Sequence, residues 1–135
     1  MLQVREVCDL SRIDIALVED DASVRQATET LLRMLGYDTA SFASAEDFLV
    51  SGRMSETACL VTDVQLPGIS GVELQSQLIA DGHRMPIIFI TGFPNEAIRI
   101  AVLRNGAIGY LSKPLQVQCL IACLDQALKR PRQDQ

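Results

Sequence analysis

The chain has 135 residues, 48% apolar and 21% charged, the proportions of one ordinary globular domain, which excludes disordered, collagen-like and coiled-coil descriptions of the whole. A net charge of −5, from 12 basic and 17 acidic residues, argues against nucleic acid as a partner, because affinity for phosphate backbones begins with a basic face. No apolar run approaches the roughly 20 residues that cross a bilayer, and residues 1–9 mix charges too early for a secretory leader, so a cytoplasmic protein with no membrane contact is expected.

In chain order, residues 1–12 carry no periodic pattern and are expected to form an N-terminal extension, 13–129 a single domain, and 130–135 a short tail. Residues 13–18 form a buried-strand run. Val24, Ala27, Thr28, Leu31, Leu32 and Leu35 then recur at helical spacing, with Gly36 where a C-cap belongs. Residues 37–42 read as a second strand. Ser44, with Asp47 three positions on, offers an N-cap ahead of Phe48 and Leu49. A third strand over 59–62 ends at Asp63. After the loop 66–69, Ser70 and Glu73 make a capping-box pattern for the next helix. Residues 86–90 predict a fourth strand, 95–104 a helix ending before Gly106, and 108–111 a fifth strand. The helix predicted over 115–129 carries Leu120, Cys123, Leu124, Ala127 and Leu128 on its apolar side. Lys129, Arg130 and Arg132 close it, where cations suit the helix dipole.

Cys8, Cys59, Cys119 and Cys123 do not make a zinc set, since the one histidine, His83, sits apart in a loop. Cys119 and Cys123 share a helix face, and Cys59 lies in an apolar run where a thiol behaves as a small hydrophobe. Reduced, structural thiols are expected.

Five strand–helix units in succession, with strands apolar from end to end, predict an α/β fold: a doubly wound, five-stranded parallel sheet with helices on both faces. Ligands in such sheets bind beyond the carboxyl ends of the strands. Glu19, Asp20 and Asp21 follow the first strand, Asp63 the third, Thr91 the fourth and Lys113 the fifth. Converging carboxylates resist full ionisation unless a cation joins them, and an oxygen-only set suits magnesium. A carboxylate nucleophile, a hydroxyl and a lysine then complete a phosphoryl-transfer site. Plainer roles exist for each residue taken singly. Asp63 or Thr91 could simply satisfy the adjacent turn, Tyr110 could be a packing residue with its hydroxyl in water, and Asp21 is expected to cap the first helix rather than to bind a ligand.

Four stretches, in order, carry a family resemblance: 15–21 (IALVEDD), 60–71 (LVTDVQLPGISG), 88–92 (IFITG) and 109–114 (GYLSKP). Over residues 13–129 the chain resembles the receiver domains of bacterial response regulators, the phosphoacceptors of two-component signalling, with wording close to regulators of the nitrogen-fixation type. The resemblance implies the flavodoxin-like (βα)5 receiver fold and a non-enzymatic signalling role. It implies that Asp63 accepts the phosphoryl group and that Asp20, Asp63 and the Gln65 carbonyl hold magnesium, with Glu19 acting through metal-bound water. Thr91 and Lys113 would engage the phosphoryl oxygens, Lys113–Pro114 would be a cis peptide, and Tyr110 would switch together with Thr91. Gln65 and Phe93 stand where the family tunes loss of the phosphoryl group, and an apolar Phe93 implies a long-lived product.

The partner implied is a sensor histidine kinase or a histidine phosphotransfer protein. The fourth helix, fifth strand and fifth helix would form the output surface, binding a second copy or a downstream protein. With only a short tail after the last helix, the chain is either a stand-alone receiver or the receiver piece of a longer regulator. Rival readings are a degenerate receiver used only for binding, an aspartyl-phosphate phosphohydrolase and a flavin binder. The hydrolase needs its nucleophile after the first strand and a cap over the substrate. The flavin binder needs a hydroxyl- and glycine-rich loop where this chain has three carboxylates.

Overall fold

Strands bury both faces here, and that is why they read as unbroken apolar runs. In β1 (Ile13–Val18), Ala16 and Val18 enter one core while Ile15 and Leu17 enter the other. β3 (Thr57–Asp63) divides Leu60 from Cys59 and Val61 in the same way, and β4 (Ile87–Thr91) divides Phe89 from Ile88 and Ile90. With β2 (Thr39–Phe42) and β5 (Gly109–Ser112), these strands form one parallel sheet in the order β2-β1-β3-β4-β5. Ala16 lies opposite Leu60, Leu60 opposite Ile87, and Ile88 opposite Gly109. The computed structural model describes residues 12–133. The extension expected over 1–12 lies outside the described residues except for Arg12, as do Cys8 and the side chains of Lys129, Arg130 and Arg132.

Local chemistry starts each helix. Asp21 opens α1 (Ala22–Met34) by accepting the Val24 N–H at 3.0 Å, the capping role expected of it. Ser44 opens α2 (Ala45–Ser51) through the Asp47 N–H at 3.0 Å. Both halves of the capping box form at α3 (Gly71–Ala80), where Ser70 Oγ accepts from Glu73 N at 3.1 Å and Glu73 Oε1 from Ser70 N at 2.9 Å. Asn95 caps α4 (Glu96–Arg104), and α5 (Val117–Gln133) follows the turn after β5. Leu32 of α1 and Leu120, Leu124 and Ala127 of α5 cover one face of the sheet. Phe48 of α2, Leu74 and Leu78 of α3, and Val102 of α4 cover the other.

The doubly wound fold matches the sequence reading, with shifts at element ends. β2 begins at Thr39 rather than 37, because the Tyr37 N–H is occupied by the Leu32 carbonyl in the turn that closes α1. β3 is longer than 59–62 and takes in Asp63 itself. α5 begins at Val117, with the Gln116 carbonyl accepting the Leu120 N–H, and continues past the expected end at Lys129. Pro131 lies within the last turn of the helix. A short 3₁₀ turn, Met54–Glu56, precedes β3. Gln75, polar in sequence, is almost fully buried on α3, where its Nε2 donates to the Val102 carbonyl at 3.1 Å and ties α3 to α4. Burial pushes the Cys59 thiol up to about 12, which fits its role as a small hydrophobe.

Phe89, fully buried at the centre of β4, tests the packing. Phe89→Ala is expected to lower stability by about 3–5 kcal/mol in urea denaturation. A loss below about 1 kcal/mol would show that this core is not close-packed.

Candidate functional site

In the order β2-β1-β3-β4-β5 the chain departs to opposite sides of β1, so the crevice lies at the carboxyl ends of β1 and β3. Glu19 and Asp20 follow β1 there, and Asp63 ends β3. Glu19 and Asp63 are buried, at 5% and 7% exposure, while Asp20 is exposed. Oxygens from the three carboxylates lie within 4.8 Å of one another. The Lys113 ammonium, carried in from β5, donates to Asp63 Oδ2 at 2.9 Å and to Glu19 Oε1 at 3.0 Å.

Each group is held by short-range contacts. Asp63 Oδ1 accepts the Gln65 N–H at 3.2 Å, and Glu19 Oε2 accepts the Asp21 N–H at 3.1 Å. The Lys113 N–H donates to the Thr91 carbonyl at 2.8 Å, so the lysine arm starts over the end of β4. The Lys113–Pro114 peptide that follows is cis. Gly71, first residue of α3, approaches the Asp63 carbonyl so closely that a Cβ would collide with it.

Burial raises the Glu19 carboxyl above the ordinary range, and the nearby charge of Asp63 adds to this. The bonds from Lys113 and the Asp21 N–H oppose the rise without cancelling it. Burial alone would lower the Lys113 ammonium, but its bonds to Asp63 and Glu19, with their charges, raise it, so it stays protonated. The oxygen-only donor set, two members of it buried, fits a hard divalent cation such as magnesium. Zinc would call for nitrogen or sulfur ligands, which are missing from this cluster.

Thr91 is fully buried at the end of β4, and its Oγ1 accepts the Phe93 N–H at 3.0 Å. Tyr110 packs its ring against the core that contains Phe89, while its hydroxyl accepts the Asn95 N–H at 3.0 Å and so links β5 to the cap of α4. Thus Glu19, Asp20, Asp63 and Lys113 come together, with Gln65 and Thr91 adjoining, and Tyr110 stands apart toward α4. Asp21 serves as a helix cap. The sequence reading missed Arg25, whose guanidinium donates to the Glu19 carbonyl at 2.9 Å and steadies the strand end. It lies six residues away within an ordinary amphipathic helix, where no local pattern marks it.

The family model described as "Response regulator receiver domain" matches residues 15–125. Nodulation protein W of Bradyrhizobium diazoefficiens is 38% identical over 118 residues, which are 87% of this chain and 52% of that protein. Transcriptional regulatory protein FixJ of Azorhizobium caulinodans is 34% identical over 87% of this chain and 56% of its own length. The chain therefore spans about half the length of these curated relatives. The solved structure of response regulator StyR superposes with a TM-score of 0.81 at 36% identity, covering 90% of this chain and 64% of that one.

Removing Lys113 leaves Glu19 and Asp63 facing each other without a counter-charge. Because the lysine is partly exposed, Lys113→Met is expected to cost about 1–3 kcal/mol at neutral pH without divalent ions. Magnesium chloride should recover part of the loss in the same urea titration. An unchanged midpoint would show that the ammonium does not offset this repulsion.

Proposed function

The chain belongs to the response-regulator receiver family, and from that we propose that it accepts a phosphoryl group on Asp63 from a phosphohistidine and converts the modification into a change of binding surface. The observation that carries this reading is the placement of a nearly buried Asp63 between the Lys113 ammonium and the Glu19–Asp20 carboxylates. A degenerate receiver would be expected to lack part of this set.

The donor is a sensor histidine kinase or a histidine phosphotransfer protein. An Asp63 carboxylate oxygen forms the new P–O bond as the P–N bond to the donor imidazole breaks, and the imidazole keeps the electron pair. Asp20, Asp63 and the main-chain carbonyl of Gln65 would hold magnesium, with Glu19 acting through bound water. When present, the ion supplies positive charge against the phosphoryl oxygens. Lys113 transfers one of its bonds to a phosphoryl oxygen. By analogy with other phosphorylated side chains, the product carries roughly −1.5 to −2 of charge.

The Thr91 hydroxyl donates to that group, and because its Oγ1 also accepts the Phe93 N–H, any movement toward the phosphoryl group pulls on the turn between β4 and α4. Tyr110 holds Asn95, the last residue of that turn, so its position is coupled to the same turn. The face formed by α4, β5 and α5 then changes its affinity for a second copy or for a downstream protein. Direct nucleic-acid binding forms no part of this role, and a cytoplasmic location goes with it. None of the helices is long and apolar enough to cross a membrane among the described residues.

Incubation with acetyl phosphate is expected to add one phosphoryl group by intact mass, with magnesium present and Asp63 intact. Asp63→Asn should abolish the addition. Failure of the wild-type protein to gain mass under any condition would reduce the chain to a binding module. Phe93, exposed beside Thr91, is expected to hinder water. Phe93→Glu should therefore shorten the lifetime of the phosphorylated protein, and equal lifetimes would remove that role.

A further inference from the structure

Glu46 belongs to none of the four motif stretches, yet its side chain reaches the loop that follows Asp63. It stands in the first turn of α2, and its Oε2 accepts the Ile69 N–H at 3.0 Å across 23 residues of sequence. Gly68 has φ of +75°, and a Cβ there would collide with the same carboxylate. The carboxylate thus lies against bare backbone at two successive residues. Its other oxygen, Oε1, is enclosed and meets no protein donor among the described residues. The Ile69 N–H, followed by the residue's own backbone N–H, holds the carboxyl below its usual range, so it is charged at neutral pH.

Leu66 and Ile69 of segment 65–69 pack against the core of Phe48 and Leu74, but the segment has few hydrogen bonds. The Gln65 N–H turns back to Asp63 Oδ1, and the Gly71 N–H closes on the Val64 carbonyl at 2.9 Å. Both bonds stay within the β3–loop–α3 unit. Among the described residues, Glu46 supplies the hydrogen bond that ties 65–69 to any other element.

We propose that Glu46 is a positioning residue: it anchors the loop at Ile69 and thereby fixes the main chain of Gln65 beside Asp63, making the site dependent on α2. This deepens the phosphoacceptor reading and rests on it.

The test compares Glu46→Gln, Glu46→Ala and Glu46→Asp in the whole chain. Glutamine keeps an acceptor of the same reach, so Glu46→Gln should stay close to wild type. Aspartate keeps the charge at a helix start that favours it, but it is one methylene too short to reach Ile69. Glu46→Asp should therefore fold and still behave like Glu46→Ala. Two readouts are expected to move in the alanine and aspartate variants. Amide exchange at Ile69, followed by NMR, should accelerate about tenfold or more, as loss of a charge-assisted bond implies. The magnesium concentration at half-saturation, from shifts of the Gln65 amide and from acetyl-phosphate labelling, should rise several-fold, while the labelling rate at saturating magnesium changes less.

Unchanged exchange and magnesium dependence in both short variants would overturn the proposal. So would a Glu46→Gln variant as impaired as Glu46→Ala. If wild-type protein takes up no phosphoryl group, the phosphoacceptor reading fails, while the Ile69 exchange and the magnesium titration still decide whether Glu46 sets the loop.

Discussion

Much of this structure turns on one ammonium group shared between two carboxylates. Glu19 and Asp63 are nearly sealed from water at the ends of neighbouring strands, where like charges would otherwise force one of them to take up a proton. Lys113 relieves that conflict from a distance. Its backbone is tied to Thr91 at the end of β4, and its side chain spans that strand to reach β3 and β1. A single side chain thus links the carboxyl ends of strands that are not all neighbours. The same contacts keep the lysine charged, so stabilisation of the pair and readiness for an anionic group come from one source.

The site also inherits its shape from packing that involves no charge. Close approach of α3 to the strand end depends on Gly71, and the capping box then starts that helix without borrowing a donor from the site. Arg25 holds the Glu19 carbonyl on the opposite flank. These contacts leave the carboxylate oxygens and the Lys113 ammonium as the polar groups at the crevice. A cation or phosphoryl group bound as proposed would therefore meet an arrangement already held by short-range contacts.

Most of the fold was legible because both-sided burial leaves a plain mark on the strands, and because Asp21, Ser44, Ser70 and Asn95 cap helices in the ordinary way. The convergence of Glu19, Asp20, Asp63 and Lys113 followed from the rule that strand ends share one edge. What stayed hidden was of a different kind. Gln75 is polar by composition and buried by circumstance, its amide spent on a carbonyl 27 residues away. The reach of Glu46 to Ile69 depends on the approach of two elements, which no local spacing records. Strand and helix ends shifted where a turn claimed a backbone group, as at Tyr37.

The sheet keeps two cores apart, and each helix belongs to only one of them. α4 rests on the core of Phe48 and Phe89, whereas α5 rests on that of Leu32 and Leu120. They meet across β5, an edge strand whose Tyr110 faces one core and whose Leu111 faces the other. β5 is therefore a seam. A shift of α4 relative to α5 can repack one side while the other stays close-packed, so the outer face of the domain can deform without threatening the fold beneath it. At that margin the rest of the sheet serves as the anvil against which either helix can move.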